Sequence, residues 1–169
     1  MSVAQAKQDD RVDEASDQYL TFSLAGEEYG VDILGVQEVK VWTEVTVLPN
    51  TPSYIKGVLN LRGVIVPIID LRTRFKMPAV EYTETTVIVV LKLNIDNKER
   101  IIGLVVDSVS DVLDLPHSAQ KSVDEFDLNS KSAAITGVAT VNDKLVIMMN
   151  AAKLLDASEM ASLEKVVEG

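Results

Sequence analysis

The chain has 169 residues, of which 26 are acidic and 16 basic, and a surface with a formal net charge of −10 argues against nucleic acid or anionic lipid as a partner. Apolar residues make up 47% of the sequence, enough for a sizeable core, but no apolar run reaches the roughly 18 residues needed to cross a bilayer. Cysteine is absent and histidine occurs once, which excludes disulfides, thiolate nucleophiles and metal sites made of His and Cys.

The first half of the sequence predicts five strands behind a polar tail. Residues 1–16 carry no apolar stretch and are expected to be flexible. Two-residue alternation predicts a hairpin around Gly26, Pro49 ends a third strand rich in Val and Thr, and Arg62 with Gly63 marks the turn of a second hairpin. The predicted strands are 19–24, 29–33, 36–48, 58–61 and 64–69.

The second half predicts the same order of strands and ends in a helix. The predicted strands are 85–93, 100–106, 109–115, 135–141 and 144–149. Residues 116–134 are polar and predict a loop, whereas 70–75 in the first half predict one helical turn. Asp156 followed by Glu159 forms a capping box, which predicts a helix over 156–167. The apolar stripe of this helix is expected to dock on the strands and consists of Met160, Leu163, Val166 and Val167.

The two halves match each other as an internal repeat. Residues 29–39 match 102–112 at an offset of 73 residues, and 57–70 match 137–150 at an offset of 80. No predicted helix of ten residues or more separates the strands, which argues against parallel βαβ units. The sequence therefore predicts a mostly β fold of two five-stranded antiparallel barrels, with side chains filling each interior. Function is then expected on the outer faces and in the groove between the two copies.

Residues suited to catalysis or ligand binding are scarce. The sequence has no phosphate-binding glycine loop and no serine nucleophile elbow, and His117 lies in a Leu-Pro-His-Ser turn typical of a surface histidine. The densest carboxylates, at 27–32 and 107–111, are interpreted as solvated because neighbouring strand residues point to opposite faces. No catalytic residue, cofactor or metal is expected, and a small-molecule barrel or an enzyme would need a polar pocket instead.

Arg62 is a charged residue in unusual surroundings. It lies in a predicted turn between Leu61 and Ile65. An arginine among aliphatic residues on a turn is typical of an interface anchor. An internal salt bridge with Glu38 or Asp70 would explain it equally well, and the sequence leaves both interpretations open.

Four segments of the sequence have a pattern specific to one protein family. They are QYLTF from Gln18, EYGVDILGVQEV from Glu28, NTPSYIKGVLNLRGVIVPIIDLR from Asn50 and GLVVDSVSDV from Gly103. These segments resemble the CheW family of bacterial chemotaxis coupling proteins. The likeness covers about residues 18–165. It implies one domain over 17–165, with two SH3-like barrels, interleaved or in tandem, over about 17–84 and 85–150.

The resemblance also implies a function and partners. It implies a non-enzymatic cytoplasmic adaptor that links methyl-accepting chemoreceptors to the regulatory domain of the histidine kinase CheA, recruited to membrane-associated receptor arrays. The cytoplasmic receptor tip would lie in the groove between the barrels, and other copies of the chain would be neighbours in array rings. The alternative is a CheW-like adaptor that serves a different receptor–kinase system, such as surface motility.

The resemblance implies two sets of binding residues. Those matching receptor-coupling positions are Val36, Glu38, Gly57, Arg62, Gly63 and Ile65. Those matching kinase-binding positions are Lys121, Glu125, Phe126, Trp42 and Val45. Lys121 departs from the family pattern, because an arginine is expected there.

Overall fold

A computed structural model describes residues 15–122 and 133–168. The strands in these residues are β1 Ser16–Leu24, β2 Glu27–Asp32, β3 Val36–Val41, β4 Ile55–Leu61, β5 Val64–Asp70, β6 Val87–Ile95, β7 Lys98–Val106, β8 Ser108–Pro116, β9 Gln120–Ser122, β10 Ile135–Val141 and β11 Lys144–Met149. The α-helices are α1 Leu71–Arg74 and α2 Ala157–Glu168, and single 3₁₀ turns are Ile33–Gly35, His117–Ala119 and Ala151–Lys153.

The strands form two sheets. The six-stranded sheet has the order β8-β1-β2-β11-β10-β9, and the five-stranded sheet has the order β3-β6-β7-β5-β4. The predicted mostly β class, with short helices and a C-terminal helix, is confirmed. Two details differ from the prediction: the sheets are not closed barrels, and each contains a parallel pair, β2–β11 and β5–β7. Neither parallel pair is joined by a hairpin, so no tight turn forces its strands to run in opposite directions.

The parallel pairs show the internal repeat. In the five-stranded sheet Ile68 lies opposite Gly103, and in the six-stranded sheet Met148 lies opposite Gly30. Met148 follows Ile68 by 80 residues and Gly103 follows Gly30 by 73, the two offsets found in the sequence. Equivalent residues of the two copies therefore occupy equivalent places in the two sheets.

Apolar side chains fill the space between the sheets and the concave side of each one. The largest group lies between the sheets and includes Phe22, Leu24, Ile69, Leu104 and Leu154. Smaller groups lie within the five-stranded sheet, around Val66, Ile68, Ile88 and Val90, and within the six-stranded sheet, around Leu115, Ala139 and Met148. Because the interior is filled, binding sites are expected at the rims, edges and outer faces of the sheets.

Several predicted boundaries were wrong. The third strand ends at Val41 rather than at residue 48, because the chain then leaves β6 and Thr46 pairs with Val58 of β4 instead. The predicted loop over 116–134 contains β9, because the backbone of Lys121 pairs with Val138. β1 already begins at Ser16, inside the predicted tail, and residues 1–14 lie outside the described part of the chain.

The C-terminal helix begins at the predicted capping box. The carboxylate of Asp156 accepts the N–H of Glu159 at 2.7 Å, and the carboxylate of Glu159 accepts the N–H of Asp156 at 2.9 Å. Met160 and Leu163 are only 8% and 6% exposed and join the core between the sheets, which confirms that the helix docks on the strands. The other two residues of the predicted stripe, Val166 and Val167, have side chains outside the description.

A half-buried ion pair ties α1 to the β1–β2 turn and predicts a loss of stability in acid. Arg72 donates two hydrogen bonds to Asp107, at 2.9 and 2.6 Å, and the N–H of Ala25 donates a third at 2.9 Å. The Arg72 hydrogen bond lowers the pKa of Asp107. Since the folded pKa lies below the unfolded value of about 3.9, this stabilisation is present above pH 4 and is lost as pH falls through the folded pKa.

Asp107→Asn should therefore lower the free energy of unfolding by about 1–2 kcal/mol at pH 7, and the difference from wild type should shrink towards pH 3. Urea unfolding at both pH values measures this. If the difference in free energy of unfolding between the variant and the wild type were the same at pH 3 as at pH 7, the stabilisation would not depend on the charge of Asp107.

Candidate partner-binding surface

The β4–β5 turn presents Arg62 to solvent. Arg62 and Gly63 both have positive φ angles, 53° and 89°, as a two-residue type I′ hairpin turn requires. The amide oxygen of Asn60 accepts the N–H of Gly63 at 2.8 Å and holds the turn. The Arg62 side chain is 76% exposed, so the turn holds a cation at the rim of the five-stranded sheet.

Arg62 forms an ion pair with Glu38, which is one of the two internal partners considered from the sequence. Nη2 of Arg62 lies 2.7 Å from Oε1 of Glu38. The other candidate, Asp70, is buried and instead accepts the hydroxyl of Tyr82 and the N–H of Thr73. An exposed pair contributes less than about 1 kcal/mol to stability, so its guanidinium remains accessible to a partner.

The ion pair spans the open side of the five-stranded sheet. Glu38 belongs to β3 and Arg62 follows β4, and these are the two edge strands of that sheet. A cavity of about 470 Å³ opens beneath the pair. Its lining residues are Gln37, Glu38, Leu61, Arg62, Val64, Val66, Val90 and Ile101. Because Val66 and Val90 are fully buried, the cavity has an apolar floor below a charged rim.

Ile65 lines a second cavity, of about 260 Å³, beside helix α2. Met160 and Leu163 form its helical wall, and the ion pair of Arg100 with Glu164 lies at its side. Val64 and Ile101 line both cavities, so the two adjoin at the rim of the sheet. The structure therefore brings Glu38, Arg62, Gly63 and Ile65 of the predicted receptor set into one surface, named here the rim surface.

Val36 does not belong to the rim surface. It lies opposite Leu91 and packs against the core between the sheets. Val36 lines neither cavity of the rim surface, although Glu38 on the same strand lines the first. Leu34, in the preceding 3₁₀ turn, is 90% exposed and was not singled out from the sequence. Val36 and Leu34 thus form a separate apolar group.

Gly57 has a backbone role. Its φ is +151°, and a Cβ there would lie 2.2 Å from the carbonyl oxygen of Thr46. The absence of a side chain lets the segment with Val45 and Thr46 lie against β4, where Thr46 pairs with Val58. Gly57 therefore shapes the surface without presenting a group to a partner.

The predicted kinase residues lie along two equivalent edges. Thr46 pairs with Val58 in the first copy, and Lys121 pairs with Val138, which is 80 residues later, in the second. A Cβ on Gly137 would lie 2.3 Å from the carbonyl oxygen of Lys121, as at Gly57. The two segments thus extend the two sheets in the same way. Glu125 and Phe126 lie outside the described residues.

At the first of these edges, Trp42 and Val45 pack inwards and two other valines face out. The rings of Trp42 and Tyr82 are 4.3 Å apart at their centroids. Burial and the hydrogen bond to Asp70 raise the pKa of Tyr82, which keeps the phenol protonated as a donor. Val41 and Val47 are exposed, Val47 by 75%, and the sequence analysis missed both. Val41 is one of the exposed positions of β3, which alternates half-buried and exposed residues throughout, and Val47 follows the strand.

The carboxylates and the histidine have structural partners. Asp32 accepts the N–H of Leu34 at 2.9 Å, and His117 lies 3.0 Å from Asp17 on the surface. Within 15–122 and 133–168, no three His, Asp or Glu side chains are grouped as a metal site would require. No helix in the same residues is long and apolar enough to cross a membrane.

Comparison with known proteins identifies the family. The sequence model of the CheW-like domain matches residues 18–159. The chain belongs to the CheW-like domain family. It is 44% identical over 151 residues to the chemotaxis protein CheW of Klebsiella aerogenes, covering 89% of each chain. It is 31% identical to the chemotaxis protein CheW of Bacillus subtilis over 144 residues, 85% of this chain and 89% of that one.

A solved structure shows the same fold. The crystal structure of the scaffolding protein CheW from Thermoanaerobacter tengcongensis matches with a TM-score of 0.75 at 30% identity. The match covers 86% of this chain and 96% of that one. The chain is therefore a CheW-like chemotaxis scaffold in fold and family, as the sequence resemblance predicted.

Proposed function

We propose that the chain is a non-catalytic adaptor that couples methyl-accepting chemoreceptors to the regulatory domain of the histidine kinase CheA within receptor arrays. The observation that carries the proposal is the rim surface, where an exposed ion pair borders one of two adjoining cavities with apolar walls. Membership in a family of chemotaxis scaffolds supports the choice of partners.

The rim surface suits a helical receptor tip. Apolar side chains three or four residues apart on a helix lie about 5–6 Å from each other. The cavities beneath Arg62 and beside Ile65 lie on the two faces of β5 and adjoin at Val64, so a helix that crosses the turn meets the borders of both. Arg62 and Glu38 then fix orientation more than affinity. Val36 and Leu34 extend the receptor contact along the groove between the sheets.

The two equivalent edges suit array assembly. One edge carries Val45 and Thr46 and the other carries Lys121, in equivalent positions of the two sheets. A chain with two similar edges binds two neighbours at once, which a ring of alternating adaptors and kinase regulatory domains requires. The exposed Val47 gives the first edge an apolar contact. The same geometry admits other copies of this chain as neighbours.

Reconstitution of receptor, CheA and this chain tests the receptor contact. Arg62→Ala should lower receptor-dependent kinase autophosphorylation several-fold, and Val36→Asp should lower it at least tenfold, because a carboxylate replaces a half-buried apolar contact. Val80→Asp is the matched control, since Val80 is exposed on a loop apart from the rim surface. Full activation by both folded variants, with folding checked by circular dichroism, would contradict the receptor assignment.

Separate variants test the kinase contact. Val47→Asp and Phe126→Ser should each weaken binding to the isolated CheA regulatory domain about tenfold while receptor-tip binding stays near wild type. Isothermal titration with each partner measures both. Equal losses for the two partners would refute two distinct surfaces.

A further inference from the structure

Helix α2 covers one end of the five-stranded sheet on the side that faces the other sheet. Met160 and Leu163 lie against a strip that contains Ile65, Pro67 and Ile102. At the border of the strip, Arg100 forms an ion pair with Glu164 of the helix. Two apolar contacts and one ion pair thus attach this helix to its sheet.

The repeat places an equivalent strip on the six-stranded sheet. The offset of 80 relates Ile65 to Leu145 and Pro67 to Ile147, and the offset of 73 relates Tyr29 to Ile102. Ile147 and Tyr29 are direct neighbours in the β11–β2 pair. The six-stranded sheet therefore contains the same kind of apolar strip.

Nothing equivalent to α2 covers this second strip within the described residues. After α1, Phe75 stacks on Tyr29 with centroids 6.0 Å apart. The chain then leaves the six-stranded sheet, because Tyr82 contacts Trp42 and bonds to Asp70. Leu145 is 50% exposed as a result. Within the strip Tyr29 is buried beside Phe75 and Ile147 is half-buried against the core, so Leu145 is the residue that a docking helix would meet first.

The charge at the border of the strip is reversed. Arg100, which binds Glu164 of α2, is replaced in the other copy by Glu27, 73 residues earlier. Glu27 is exposed at the start of β2, and none of its described contacts is an ion pair. A helix seated here as α2 is seated on the other sheet would face a carboxylate where α2 faces a guanidinium. A basic residue is therefore favoured at the place that Glu164 holds in α2.

We propose that the strip of Leu145, Ile147 and Glu27 binds a short basic amphipathic helix of a partner protein, in the orientation that α2 has on the five-stranded sheet. The helix presents two apolar residues three positions apart, as Met160 and Leu163 are, and a lysine or arginine one position after the second. The α2 helix of a second copy fits less well, because its Glu164 would face Glu27. This site is distinct from the rim surface and from the two edges.

Two peptides test the site on the full-length, ¹⁵N-labelled chain. One has the sequence of residues 156–169, and the other carries Glu164→Arg in that sequence. The Glu164→Arg peptide should bind about fivefold more tightly, the upper range for one exposed ion pair, with chemical-shift changes centred on Leu145 and its cross-strand neighbour Thr140. Glu27→Arg in the protein should reverse the preference between the peptides.

Variants of the strip complete the test. Leu145→Ser should weaken binding of the Glu164→Arg peptide about tenfold. Val112→Ser is the control, because Val112 is a partly exposed apolar residue elsewhere on the same sheet, and it should leave peptide binding unchanged. Equal binding of the two peptides, tighter binding of the unsubstituted peptide, or shifts centred elsewhere would each overturn the proposal. Shifts at Leu145 that depend on protein concentration without peptide would assign the strip to self-association and also overturn it.

Discussion

Gly57→Ala should lower the free energy of unfolding by about 3 kcal/mol or more. The added Cβ would lie 2.2 Å from the carbonyl oxygen of Thr46, and φ of +151° strains any residue with a side chain. The segment with Val45 and Thr46 must then leave β4. Urea unfolding measures the loss of stability, and chemical shifts of residues 45–47 report the displacement.

Gly63→Ala is the matched control for this substitution. Gly63 also has a positive φ, of 89°, but no atom lies within 4 Å of the position its Cβ would take. Gly63→Ala should lower the free energy of unfolding by about 1 kcal/mol, because the positive φ disfavours alanine but no steric contact opposes its Cβ. Similar losses for the two variants would show that contact with Thr46 does not dominate at Gly57. If Gly57→Ala also reduces kinase coupling, the loss follows from the displaced segment.

Leu163→Asp should detach helix α2 from the strands and cost about 4 kcal/mol, because it places a carboxylate in the core between the sheets. The detached helix would also release Glu159, which accepts the hydroxyl of Tyr54 and lies near Arg74. The rate of amide hydrogen exchange should increase tenfold or more in α2. The central strands β5 and β7 should still exchange more slowly than the edge strand β4.

Ser162→Asp separates the effect of burial from the effect of charge. Ser162 is the exposed neighbour of Leu163 on the same helix, so its substitution adds the same charge outside the core. We expect a change within about 0.5 kcal/mol and unaltered exchange in α2. A large effect of Ser162→Asp would mean that added negative charge, rather than lost burial, destabilises the helix.

Local sequence patterns predicted the strands well because their signals are local. The hairpin turn at Arg62 and Gly63 and the capping box at Asp156 are each specified by a few neighbouring residues, and both are confirmed. The parallel pairing of β2 with β11 was not predicted. Strands more than a hundred residues apart carry no turn signal that fixes their relative direction.

The candidate surface was predicted in part. Arg62 and Ile65 were both named from the sequence, and they line adjoining cavities, but Val36 lies apart from them because its side chain packs against the core between the sheets. The exposed valines of β3 were missed although β3 alternates regularly between half-buried and exposed residues. Alternation in a sequence shows that a strand has two faces, and packing against the rest of the fold decides which face is buried.

The strand order also determines when each sheet can form during synthesis. The five-stranded sheet consists of β3 to β7, which are consecutive, so it can form once residue 106 has left the ribosome. The hairpin β1–β2 emerges first, yet its neighbour β11 emerges about 110 residues later, which is roughly 6–20 s at usual translation rates. During that interval the edge of β2 lacks its partner strand, while Phe22 and Leu24 can already pack against the five-stranded sheet. The nascent chain therefore exposes the unpaired edge of β2 to chaperones until translation is nearly finished.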